Sequence, residues 1–240
     1  MTLFLYQTDS YIQTFEAKVT SIDESNPSIT LDQTAFYPGG GGQPADSGNI
    51  QIDKNKYIVK RAKRNGQEIA HILDDIDEFP PIGSLVTGQI DWGNRYKLMR
   101  THTAMHILCG VIFRDYGSSV TGGDMQPLKG RMDFEFETMR RDLVEEIEKA
   151  VNVEIDNARP VTTRILPWEE AFEIPDLIRT KINLLPKGIT EVRIVEILGL
   201  DLQADGGTHV KNTSEVGRIN IVDYKSKGKI NKRIYVEISD

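Results

Sequence analysis

The chain has 240 residues, 39% hydrophobic and 27% charged, with a net charge of −7. That is long enough for one large domain or two small ones with a real core, and the composition is that of a globular protein, not a disordered or fibrous one. No apolar run approaches the ~20 residues of a membrane span, the opening stretch lacks the basic flank of a signal peptide, and the single cysteine, Cys109, excludes an internal disulfide and fits a reducing, cytoplasmic setting.

From the start to about residue 90 the chain reads as β-structure. Phe15, Ala17 and Val19 alternate with polar neighbours, as do Ile29 and Leu31, Ile50 and Ile52, and Tyr57 and Val59. Such alternation, punctuated by Asn26-Pro27, the glycine run, Asn65-Gly66 and Pro80-Pro81, predicts short half-buried strands of a small barrel or sandwich. The four consecutive glycines, Gly39 to Gly42, carry no P-loop lysine after them; they mark a sharp turn, a close approach to a ligand, or a flexible hairpin loop. The excess of acid argues against nucleic acid, but two basic runs interrupt it. Lys54, Lys56, Lys60, Arg61, Lys63 and Arg64 form one, and Lys225, Lys227, Lys229, Lys232 and Arg233 the other. On composition alone both read as solvated hairpin faces.

After Asp91-Trp92-Gly93 the period changes. Tyr96, Met99, Thr103, His106, Ile107, Gly110 and Val111 follow helical spacing, ending near Gly117. A strand is predicted over 131–136, then an amphipathic helix over 138–157 with Thr138 as N-cap and Pro160 beyond its end. A short helix is expected from Trp168, and strands over 191–197, 217–224 and 233–238. Helices and strands mix here without strict βαβ alternation, so the class is α+β.

Of four histidines, three fall in two suggestive segments. His102 and His106 are four apart on the predicted helix, so both imidazoles can reach one cation; Asp205 and His209 offer a carboxylate and a third imidazole across a Gly-Gly loop. Four such donors suit tetrahedral zinc, though manganese, iron or cobalt accept them too. Thr103 stands where a zincin protease needs glutamate. Cys109 completes an i, i+4, i+7 series but reads as a small buried apolar residue. His71 sits in a predicted strand without a partner and reads as structural.

Four segments, taken together and in order, resemble the alanyl-tRNA editing family AlaX: TAFYPGGGGQPAD at 34–46, RTHTAMHIL at 100–108, DLQADGGTHV at 201–210, and KSKGK with NKRI at 225–234. The glycine-rich N-terminal half is similar to the medium-length type. The resemblance implies a β-barrel domain over 1–90, similar to a translation-factor barrel. It is followed over 91–240 by an α+β editing core like that of threonyl- and alanyl-tRNA synthetases. It implies His102, His106 and His209 as metal ligands, with Asp205 where the family carries cysteine; one zinc per chain is expected, with another divalent metal admitted because carboxylate is harder than thiolate. It further implies that Thr34 faces the substrate's side chain and acts in catalysis, with Gly39, Gly40, Gly41, Gly42 and Gln43 as substrate-binding backbone. Asp124 is a catalytic candidate where relatives often carry glutamine, and Lys225, Lys227, Lys229, Lys232 and Arg233 would contact tRNA phosphates. The implied reaction is hydrolysis by water of the ester of tRNA(Ala) mischarged with serine or glycine, by a monomer or homodimer. The alternative is a non-catalytic tRNA-binding relative that lost its metal with the cysteine.

Overall fold

A computed structural model describes residues 2–74, 76, 78–179 and 188–240. Within them the alternating N-terminal segments become strands: β1 (Leu3–Phe4), β2 (Thr14–Asp23), β3 (Ser28–Leu31), β4 (Gln33–Thr34), β5 (Gly48–Ile52), β6 (Asn55–Asn65), β7 (Glu68–Leu73) and β8 (Leu85–Ile90). Six of them close into an antiparallel barrel in the order β2-β3-β7-β6-β5-β8, while β1 pairs in parallel with β4. Closure removes exposed sheet edges. The inward set, including Phe15, Val19, Leu31, Ile50, Val59 and Ile69, forms one hydrophobic core with Phe36.

The glycine run resolves into a defined turn. Gly40 and Gln43 exchange backbone hydrogen bonds of 3.0 and 2.8 Å, and the two residues between them, Gly41 and Gly42, have φ of +56° and +86°. Two positive φ angles in a two-residue loop are the type I′ hairpin geometry, which side chains disfavour. The segment is pinned after the turn by Asp46. Its carboxylate accepts from the Tyr37 amide and pairs with Arg95, which is completely buried. Arg95 also donates to the carbonyls of Ser10 and Ala35, so its charge and its hydrogen-bonding capacity are both met.

The chain divides into two compact units, Met1–Tyr96 and Lys97–Asp240, and the division falls within α1 (Trp92–Tyr116). The second unit continues with β9 (Val120–Gln126), β10 (Lys129–Glu135), α2 (Arg141–Asp156), β11 (Val161–Pro167), α3 (Trp168–Phe172), β12 (Glu191–Ile197), β13 (Asp201–Ala204), β14 (Arg218–Ser226) and β15 (Asn231–Ser239). These strands form a four-stranded sheet, β14-β15-β10-β9, and a three-stranded one, β11-β12-β13. The class is mixed α+β, as expected. α2 buries Val144, Ile147, Val151 and Ile155 at helical spacing. It starts three residues after the expected cap: Arg140, not Thr138, is the N-cap, with no side-chain cap bond. The exposed first turn leaves those amides to water. Among the described residues no helix is long and apolar enough to cross a membrane.

Candidate metal centre

Helix α1 is buried on every side over residues 98–112, the behaviour of a core helix and not of an amphipathic surface one. His102 and His106 therefore lie inside the second unit, 3% and 6% exposed. The loop after β13 brings Asp205 and His209 to the same place. One ligand atom from each of these four residues lies within 4.8 Å of every other. The His209 Nε2 is 3.0 Å from an Asp205 oxygen and the His102 Nε2 is 3.6 Å from the other. The His102 and His209 rings stack at 4.3 Å, and His106 meets both edge-on, at 5.1 and 4.7 Å.

The surroundings decide which ring nitrogens face inward. His106 Nδ1 lies 2.9 Å from Asp201. A carboxylate accepts, so this nitrogen carries the proton and Nε2 keeps its lone pair. His209 Nδ1 is 3.2 Å from the Thr103 hydroxyl oxygen, which also accepts from the Val210 amide, and this contact leaves Nε2 facing Asp205 at 3.0 Å. Gln203 donates to Asp201 at 2.7 Å and holds that carboxylate in place. Gly110 makes the approach possible: a Cβ there would sit 2.9 Å from Leu200 and 3.0 Å from the Asp201 side chain.

Burial pushes His102 down to about 4, assisted by His106 and Arg193 against the pull of Asp205. His209 is held well below its usual value by burial and then by the charge of His102. Burial also acts to lower His106, but the hydrogen bond and charge of Asp201, with Asp205, outweigh it and raise it. Asp205 is penalised by burial, yet His102, the His209 hydrogen bond and His106 hold it well below the usual carboxylate range. Two neutral imidazoles and an ionised carboxylate are the forms that bind a cation. Three nitrogens and one oxygen fit zinc or a neighbouring divalent transition metal.

Other predicted residues lie elsewhere. Cys109 is not among the converging donors; its sulfur accepts from Gln203, and burial pushes the thiol up, so it remains protonated. Asp124 lies on β9, more than half exposed, 3.6 Å from Arg131. Thr34 is fully buried in the first unit, and His71, read from sequence as partnerless, is its partner at 2.8 Å. His71 Nδ1 lies 3.1 Å from the Ile29 carbonyl and therefore donates. With burial holding the ring neutral at about 4, Nε2 accepts the Thr34 proton. The Thr34 oxygen in turn accepts from the Phe36 amide at 3.1 Å. In the C-terminal hairpin, Lys232 is buried against the carbonyls of Gly228 and Lys229, Arg233 grips Asp133 through two bonds, and Lys225 pairs with Asp223. Lys227 and Lys229 have no carboxylate partner among the described residues.

Four contributors to the centre escaped the sequence reading: Asp201, Gln203, Arg193 and Arg179. Arg193 donates to the Asp205 carbonyl at 3.0 Å. Arg179 lies 3.6 Å over the Phe113 ring, and its Nε is 3.7 Å from Asp201. Asp201 and Gln203 sit two apart on one strand, so both side chains share a face; that spacing was the available signal.

The buried His/Asp centre, shared by a core helix and the loop after β13, lies in an α+β unit of the editing-domain class of the aminoacyl-tRNA synthetases. The model of the threonyl and alanyl tRNA synthetase second additional domain matches residues 192–235, which hold Asp205 and His209, and that of class II (A) tRNA synthetases matches residues 7–94. The alanyl-tRNA editing protein AlaX-M of Saccharolobus solfataricus is 39% identical over 240 residues, covering 99% of both chains, and that of Methanosarcina acetivorans is 38% identical over the full length of both. The alanine–tRNA ligase of Ignicoccus hospitalis is 37% identical over 91% of this chain but only 24% of its own. The chain belongs to the AlaX-M family of alanyl-tRNA editing proteins.

Proposed function

We propose that this chain hydrolyses the ester of tRNA(Ala) wrongly charged with serine, and secondarily with glycine, at a zinc centre held by His102, His106, Asp205 and His209. The observation that carries the reading is the convergence of those four donors, in a chain similar end to end to alanyl-tRNA editing proteins. The metal, when bound, supplies Lewis-acid polarisation of the ester or of water. With aspartate in place of the family's cysteine the site still offers four donors, Asp205 being held in its ionised form 3.0 Å from His209. This favours an enzyme over a metal-free RNA-binding relative. Its place of work is the cytoplasm, where tRNA is charged.

Serine preference has a physical basis: serine's hydroxyl can donate a hydrogen bond to an acceptor of the site, a bond that alanine cannot make. We assign that role to Thr34. Its proton is committed to His71, so it can only accept there, and its burial demands that the barrel open around it. Gly39 to Gly42 and Gln43 provide backbone for substrate, and Lys227 and Lys229 are the hairpin cations left for tRNA phosphate. Asp124, paired with Arg131, receives no step.

The test is deacylation of seryl-, glycyl- and alanyl-tRNA(Ala) by chelated and zinc-restored protein. Activity on the seryl substrate should vanish on chelation and return with zinc. Full activity of metal-free protein overturns the metal's role, and equal rates on seryl- and alanyl-tRNA overturn the selectivity. Thr34→Val should erode the preference for serine while leaving the metal content unchanged.

A further inference from the structure

Strand β6 carries the one basic run that the proposed reaction leaves unused. Its inward residues Tyr57, Val59 and Ala62 fill the barrel, its outward residues Lys56, Ile58, Lys60, Arg61 and Lys63 are exposed, and Arg64 is exposed at the strand's end. The bulge between Val59 and Arg61 turns two successive cations outward. Lys60 pairs with Asp74, both about half exposed, and Arg64 lies 4.3 Å over the Phe4 ring. Among the described residues no carboxylate partners Lys54, Lys56, Arg61 or Lys63. In a chain of net charge −7 this is a segregated positive surface, and it holds more unpaired cations than the C-terminal hairpin.

Beside it lies a cleft of about 560 Å³, lined by Ile58 and Lys60 of β6, Asn49 of β5, Gln89 of β8, and Asp91 and Trp92 at the start of α1. The amides of Asn49 and Gln89 are bonded to each other at 3.2 Å, forming a polar floor. The one acid, Asp91, is occupied: its carboxylate accepts from the Asn94 amide and caps α1. Trp92 is half-buried and backed by Tyr11 and Tyr96, with ring centroids 5.6 and 5.5 Å away, so its orientation is fixed before any ligand arrives.

A row of free cations beside a rigid aromatic wall is the arrangement that binds RNA without reading its sequence, phosphates on the cations and a base against the ring. We propose that the outer face of β6 and the Trp92 cleft form a second contact surface for the backbone of tRNA, separate from the C-terminal hairpin. The choice of tRNA as the RNA rests on the function proposed above.

The experiment uses the full chain and uncharged tRNA(Ala), so that binding is read without hydrolysis. Lys54→Ala/Lys56→Ala/Lys63→Ala should weaken binding about tenfold or more and reduce the slope of log affinity against log salt by about 2–3. A control removing the same charge elsewhere, Lys18→Ala/Lys129→Ala/Lys149→Ala, should change the slope little. Equal effects of the two triple variants, or an unchanged slope in the first, overturn the surface. In Trp168→Phe protein Trp92 is the sole tryptophan, and saturating tRNA should quench it; undiminished emission overturns the stacking contact. A chain that binds in this way yet hydrolyses no charged tRNA overturns the deacylase reading and leaves this one standing.

Discussion

Two sets of buried histidines can be compared, one in each unit. His71 and the trio His102, His106 and His209 are all withdrawn from water. In the barrel, both nitrogens of His71 are spent, one on the Ile29 carbonyl and one on the Thr34 hydroxyl. In the second unit the outer nitrogens of His106 and His209 are satisfied by Asp201 and Thr103, and the inner ones converge with His102 on Asp205. Burial alone therefore does not make a site. What separates the two is whether both ring nitrogens are consumed locally or one of each ring is left converging with the others.

The first way to break this comparison is to remove a partner that only stabilises. Asp46→Ala would strand the fully buried Arg95, at a cost of about 3–5 kcal/mol in denaturant unfolding, with the metal content of folded protein unchanged. A smaller loss would mean that water reaches the guanidinium.

The second concerns pH. His71 titrates at about 4 when folded against 6.5 when exposed, so the unfolded chain binds its proton first. The stability it contributes is complete above pH 6.5 and is lost as pH falls towards 4. The difference is about 3 kcal/mol. His71→Gln cannot titrate, and its stability should fall less steeply than wild type across that window. Parallel profiles would show that His71 is hydrated.

The third sharpens the role of the outer nitrogen in the second unit. Asp201→Asn keeps the shape and an acceptor but loses the charge that fixes His106. Zinc affinity, measured by competition with a chromophoric chelator, should drop about 10- to 100-fold, with the helix content unaltered. Unchanged affinity would assign Asp201 to packing against Arg179 alone.

The donors of the centre were legible because each pair is local: His102 with His106, and Asp205 with His209, are four residues apart. The barrel strands were legible where alternation was clean, as over Phe15, Ala17 and Val19. What was illegible is long-range or irregular. Asp46 and Arg95 are joined across the barrel unit, and nothing near either residue announces it. β11 exposes most of its residues, β13 has only four, and β9 is interrupted by Gly122 and Gly123, so none shows a periodic pattern. The basic runs looked alike in sequence. Only the fold shows that Lys232 and Arg233 are committed to internal partners while Lys56 and Lys63 are not.

Gly110 has a chemical consequence beyond making room. A methyl group on that turn of the helix would push the Leu200 corner outward, and the imidazole one turn earlier would lose the anion that tells it which nitrogen to protonate. The tautomer of a metal-binding ring is thus decided by a hydrogen atom on a neighbouring backbone carbon. A Gly110→Ala protein could fold well and still present the wrong edge of His106 to the cation.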